Sequence, residues 1–103
     1  MIQIYISGAI SGLEEQATRK RFREAQERWQ RMGFPAINPF VLYDQAKKHY
    51  GTESIAWGLI MRLDLKALEE CQIIYMLKGW ETSPEARIER EFAIQLGLEV
   101  IYE

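Results

Sequence analysis

Four short apolar runs, Ile2–Ser7, Phe34–Asn38, Ile73–Leu77 and Leu98–Tyr102, restrict the fold of this chain more than any other feature, because helical patterns separate them. The first run is rich in β-branched and aromatic residues and stops at Gly8, as a buried strand does. The second closes at Asn38-Pro39, where a residue unable to donate to a sheet ladder favours a turn. Between them Phe22, Ala25, Trp29 and Met32 recur at three- and four-residue steps, which predicts a helix from about Glu15 to Met32 stopped by Gly33. A long helix is expected from about Ser54 to Cys71. Another runs from Pro84 to Leu96, with Ser83 as N-cap, Pro84 at the first helical position and Gly97 beyond the end. Residues 40 to 53 lack clear periodicity and read as a partly ordered loop or a short helix. The order β-α-β-α-β-α-β predicts an α/β domain: a Rossmann/flavodoxin-like three-layer sandwich around a four-stranded, mainly parallel sheet.

Ligands of such sheets bind beyond the carboxyl ends of the strands, near the switch in strand order. Those ends put Ser7, Gly8, Ile10, Ser11 and Gly12 after the first strand, Asn38 after the second, and Gly79 and Trp80 after the third among the candidate binding residues. Trp80 offers a stacking surface for a base, or packs against a neighbouring helix or subunit.

Composition removes several alternatives. With 103 residues, 48% of them hydrophobic, the chain encloses one core and leaves no length for a second domain. A formal charge of -2 argues against a nucleic-acid polymer as partner. The basic residues gather between Arg19 and Arg31, which is ordinarily a solvated face and is compatible with one local anion ligand. Cys71 is the sole cysteine, so the disulfide-stapled secreted class is excluded. The start, Met1-Ile2-Gln3-Ile4-Tyr5, lacks a signal-peptide pattern and no stretch approaches bilayer-spanning length, so a cytoplasmic protein without a membrane partner is expected. His49 stands alone, with no Cys or His at metal-ligand spacing, and we expect neither metal nor cofactor.

Two carboxylates fall on the wrong side of their helices. At about 100° per residue, Ala86, Ile88, Phe92, Ala93 and Leu96 form an apolar arc with Glu89 near its middle. Glu85 shares that side but lies in the first turn, where the helix dipole favours a carboxylate. In the preceding helix Ile60, Leu63, Ala67 and Cys71 define the inward arc, and Asp64 lies within it. An unpaired buried carboxylate is costly, so either the two meet in a polar cavity or each is paired structurally, Asp64 with a backbone amide and Glu89 with Arg90 or Tyr5. Two carboxylates at one pocket suit glycosidic-bond cleavage, one as nucleophile and the other as acid.

The run Tyr5-Ile6-Ser7-Gly8, Asp64, Gly79-Trp80 and the segment Ser83 to Ala93, in that order and spacing, resemble the nucleoside 2-deoxyribosyltransferase-like family over nearly the whole chain. The resemblance implies Glu89 as the nucleophile that forms a glycosyl-enzyme intermediate, with Tyr5 beside it and Asp64 holding the sugar and delivering a proton to the leaving base. Six residues before the nucleophile, the transferase branch carries an Asp that contacts the base, and the 5′-monophosphate glycosidase branch carries a phosphate-binding Ser. Ser83 at that position implies a (deoxy)nucleoside 5′-monophosphate as substrate and water as acceptor, the phosphate resting on Ser83, the amides of Gly8 to Gly12 and a helix N-terminus. Two positions depart from the family: Glu85 replaces a glycine near the phosphate, and Ala9 replaces a proline. The alternatives are a deoxyribosyltransferase acting on nucleosides, a non-catalytic nucleotide-sensing module, and a structural oligomer without ligand. Because related sites often borrow side chains from a neighbour, a homo-oligomer, a dimer or larger, is also expected.

Overall fold

Alternation along the first strand divides the core into two layers. In a computed structural model that describes residues 1–51 and 55–103, β1 (Ile4–Ser7) is fully buried and sends Ile4 and Ile6 to one face of the sheet, Tyr5 and Ser7 to the other. It pairs in parallel with β2 (Ala36–Ile37) on one side and β3 (Ile73–Met76) on the other, and β3 pairs in parallel with β4 (Glu99–Tyr102). The sheet is therefore four-stranded and wholly parallel, in the order β2-β1-β3-β4. The order reverses between β1 and β3, so the ligand-binding switch point lies beyond their carboxyl ends.

Helix α1 (Glu15–Arg31) covers the Ile4/Ile6 face, where Phe22 and Ala25 pack with Leu77 and with Phe40 of α2 (Pro39–Tyr50). The opposite face carries α3 (Trp57–Glu69) and α4 (Pro84–Gln95), whose Leu68, Ala86 and Ala93 pack around Tyr5, Ile74 and Met76. Each fully buried side chain of Leu or Ile size contributes about 1.5–3 kcal/mol relative to exposure. A single 3₁₀ turn (Trp80–Thr82) joins β3 to α4.

Several boundaries differ from expectation for identifiable reasons. β2 is two residues long, shorter than Phe34–Asn38, because Phe34 N–H donates to the Trp29 carbonyl at the end of α1 while Asn38 caps α2. Of residues 40 to 53, expected as a partly ordered loop or a short helix, those up to Tyr50 belong to a 12-residue helix that starts at Pro39, so two helices separate β2 from β3. Residues 52 and 53, and Ser54, the expected start of the next helix, lie outside the described residues. That helix starts at Trp57 and gives way to a tight turn at Glu70 and Cys71. Met32 and Leu96, expected on inward stripes, are exposed because each is the C-cap of its helix, past the sheet. Ile88 is exposed too: small Ala86 and Ala93 bring α4 so close to the sheet that its buried stripe narrows to those alanines and Glu89.

Gly8 follows β1 where the chain passes closest to its surroundings. A Cβ there would lie 3.0 Å from Leu77 Cβ and 3.3 Å from Phe22 Cζ. We expect Gly8→Val to cost about 1–3 kcal/mol through overpacking. Thermal unfolding reads this as a midpoint lowered by roughly 4–8 °C per kcal/mol in a domain of this size. An unchanged midpoint contradicts the close approach.

Candidate active site

The site grows from the N-terminus of α4. Ser83 Oγ accepts from the Ala86 amide at 3.1 Å and Pro84 takes the first helical position, which fixes the phase of the helix. One turn on, between the two alanines, Glu89 points to the sheet and is only 4% exposed. Tyr5 and Ser7, two residues apart on the same face of β1, both reach it. The Tyr5 hydroxyl donates to Glu89 Oε2 at 2.9 Å and the Ser7 hydroxyl to Oε1 at 2.7 Å. Both carboxylate oxygens are thus held, and the group sits at the carboxyl end of the central strand.

Asp64 comes from the other side. With Met61 and Leu68 it forms the buried stripe of α3, which brings its carboxyl beside that of Glu89. Burial raises both acids, and for Glu89 the charge of Asp64 adds to the rise while the Ser7 and Tyr5 hydroxyls oppose it. The pair therefore carries its titration into the neutral range and shares one proton there. The two hydroxyls aimed at Glu89 favour its anion and a shared proton on the Asp64 side, whereas the deeper burial of Glu89 pulls that proton the other way. Burial, reinforced by Glu89, pushes Tyr5 well above an ordinary phenol, so it remains a donor.

The two acids form the floor of a cavity of about 320 Å³, within the range of small-molecule sites. Of the residues expected from the sequence, Gly8, Ile10, Ser11, Asp64, Ser83 and Glu89 line it. Tyr5 and Ser7 lie behind Glu89 and act through it. Gly12, Asn38, Gly79 and Trp80 are not among its lining residues. Asn38 instead caps α2, accepting from the Phe40 amide at 2.9 Å and donating to Gln26. Gly79 turns the chain with φ of 91°. Trp80 packs toward β4, with the Arg90 guanidinium 4.9 Å from its ring and Tyr102 beside it. Arg90 donates to Tyr102 and not to Glu89.

Sequence reasoning missed the rest of the wall. Phe40 and Tyr43 of α2 and Trp57 and Ile60 of α3 give it an aromatic and apolar side. Asn38-Pro39 was the available signal: it is the same cap-then-proline signature as Ser83-Pro84, and it starts α2. From the basic run, Arg19 alone reaches the cavity, and its guanidinium is already committed. It donates twice to Asp44 at 2.9 Å and once to Glu15 at 2.9 Å, and it stacks 4.6 Å from the Phe40 ring centre. That pairing holds Asp44 below the usual carboxylate range. Among the described residues no group of three or more His, Cys, Asp or Glu is placed to hold a metal ion, and no helix is long and apolar enough to cross a membrane.

Fold and site together define a class: a parallel α/β domain with a buried carboxyl pair under a ligand-sized cavity at its switch point. The chain belongs to the DUF4406 family, a domain of unknown function, which matches residues 2–102. No curated protein matches the chain significantly.

The carboxyl pair gives stability a pH dependence of defined sign. Unfolded carboxyls titrate near about 4, whereas the folded pair holds a proton into the neutral range. Between those limits the native state binds more protons than the unfolded state, so stability is full at the acid end and falls as pH rises through the folded values. Melting curves across that window should show a falling midpoint for the wild type and a flatter profile for Asp64→Asn. Parallel profiles would separate the pair from the effect.

Proposed function

We propose that the cavity cleaves the N-glycosidic bond of a (deoxy)nucleoside or its 5′-monophosphate, with Glu89 as nucleophile. One observation carries this reading: Tyr5 and Ser7 hold both oxygens of a carboxylate while a second carboxyl, Asp64, faces it at the base of a cavity of ligand size. Glu89 forms a bond to the anomeric carbon as the bond from that carbon to the base nitrogen breaks. The departing nitrogen takes the proton held by Asp64. Water then attacks the same carbon, gives its proton back to Asp64 and releases the Glu89 carboxylate, so two inversions leave the configuration retained. A second base in place of water would make the reaction a deoxyribosyl transfer. A pair that holds one proton near neutrality is suited to this cycle, which lends a proton and recovers it.

At the 5′ end of the substrate two sets of residues pull in opposite directions. Ser83 accepts from a backbone amide and so keeps its own proton for a phosphate oxygen, and the α4 N-terminus and the loop at Gly8 to Ser11 are adjacent, which supports the monophosphate. The carboxylates of Glu15 and Glu85 and the committed state of Arg19 support an unphosphorylated nucleoside.

Incubation with a panel of nucleosides and 5′-monophosphates, followed by chromatography of free base, tests the proposal. Wild type should release base and Glu89→Ala should not. Loss of the acid in Asp64→Asn should slow release by about 10²–10⁴-fold, and Tyr5→Phe by roughly tenfold, the worth of one hydrogen bond. Equal release by wild type and Glu89→Ala refutes the nucleophile; binding without release by wild type assigns the cavity to nucleotide sensing.

A further inference from the structure

Glu85 occupies a commanding position in the cavity. It lies in the first turn of α4, two residues after Ser83, and both residues line the wall. Its Oε1 accepts from the Trp57 indole N–H at 3.1 Å, a bond that spans from the start of α3 to the start of α4. No salt bridge to Glu85 occurs among the described residues. The carboxylate is thus positioned by a neutral donor, with no side-chain cation paired to it among the described residues.

Arg19 is the only basic side chain lining the cavity among the described residues; three of its five N–H donors go to Asp44 and Glu15, and these two carboxylates outweigh its single positive charge. A dianionic phosphate placed against Ser83 would meet the Glu85 charge at close range without a free cation to offset it. A 5′-hydroxyl, by contrast, can donate to a carboxylate oxygen. Discrimination by a fixed like charge is a difference between two ligands and needs no gain in affinity for the favoured one. The same carboxylate also opposes the helix N-terminus, which alone would have attracted the anion.

We infer that Glu85, held by Trp57, is the specificity-determining residue that rejects 5′-phosphorylated substrates and selects nucleosides with a free 5′-hydroxyl. The inference rests on the glycosidic-cleavage reading of the same cavity and names its substrate class. Trp57 acts as a positioning residue, since it fixes the carboxylate that does the selecting.

The test compares kcat/KM for matched nucleoside and nucleoside 5′-monophosphate pairs in wild type, Glu85→Gln, Glu85→Lys and Trp57→Phe, at low and high salt. Glu85→Gln keeps an oxygen for the Trp57 bond and removes only the charge. Wild type should prefer the nucleoside, and Glu85→Gln should move the ratio toward the monophosphate by about tenfold or more, with Glu85→Lys moving it further. Trp57→Phe should weaken the preference while the charge remains. High salt should narrow the wild-type preference and leave that of Glu85→Gln unchanged, a response that a purely structural Glu85 would not give. Base release with a ratio that Glu85→Gln does not shift, or a wild type that prefers the monophosphate, overturns the selectivity assignment and leaves cleavage standing. No base release from either substrate by wild type or any variant overturns the cleavage reading, and this inference with it.

Discussion

The Glu89 carboxylate joins the central strand to the helix beside it, and the surrounding structure is arranged around its burial. A charge removed from water this completely requires donors at both oxygens, and Tyr5 and Ser7 supply them from consecutive same-face positions of β1. The alanines one turn either side of Glu89 let α4 lie close enough for that reach. Ser83 and Pro84 fix the helix phase, so the carboxylate is delivered to the strand end and not to the middle of the sheet. A strand four residues long is sufficient because its last residue is one of the two donors. The packing of this layer and the placement of the acid thus depend on the same bonds: removing either hydroxyl would loosen both.

The cavity above this floor has two characters. Its walls from α2 and α3 are aromatic and apolar, which suits a flat ring, and its floor and the α4 side are acidic. The cation at its edge, Arg19, illustrates how position and availability differ. The guanidinium lines the cavity, yet its bidentate bond to Asp44 and its stack on Phe40 make it a brace between α1 and α2. Such planar, doubly bonded contacts suit arginine better than lysine.

Much of this was legible from residue order. The strand runs, the inward position of Glu89 and Asp64, and the Ser83 cap all follow from periodicity, and the parallel α/β sandwich follows from their alternation. Two kinds of feature were not legible. Asn38-Pro39 has the pattern of a turn but begins a helix, because a short strand leading directly into a capped helix leaves no loop to recognise. The strand-end position of Trp80 suits a ligand or a neighbouring helix equally, and only the 3₁₀ turn and the cation-π contact with Arg90 show that it turns toward β4. The partners that decide such orientations are distant in the chain: Ser7 and Glu89 are 82 residues apart, and no local pattern pairs them. The placement of Ile88 has the same origin, since the width of a buried stripe depends on how closely the helix approaches its sheet.

The three tryptophans occupy three different environments. Trp29 packs edge-on against Phe34 and Tyr75 beneath α1, and Trp80 lies beside Arg90 and Tyr102. Trp57 alone lines the cavity, 56% exposed and hydrogen-bonded through its indole N–H. The chain therefore carries its own optical probe: a molecule entering the cavity changes the emission of a solvent-facing indole, while the other two report on packing. Comparing the spectrum with that of a chain lacking only Trp57 would separate occupancy from unfolding without any attached label.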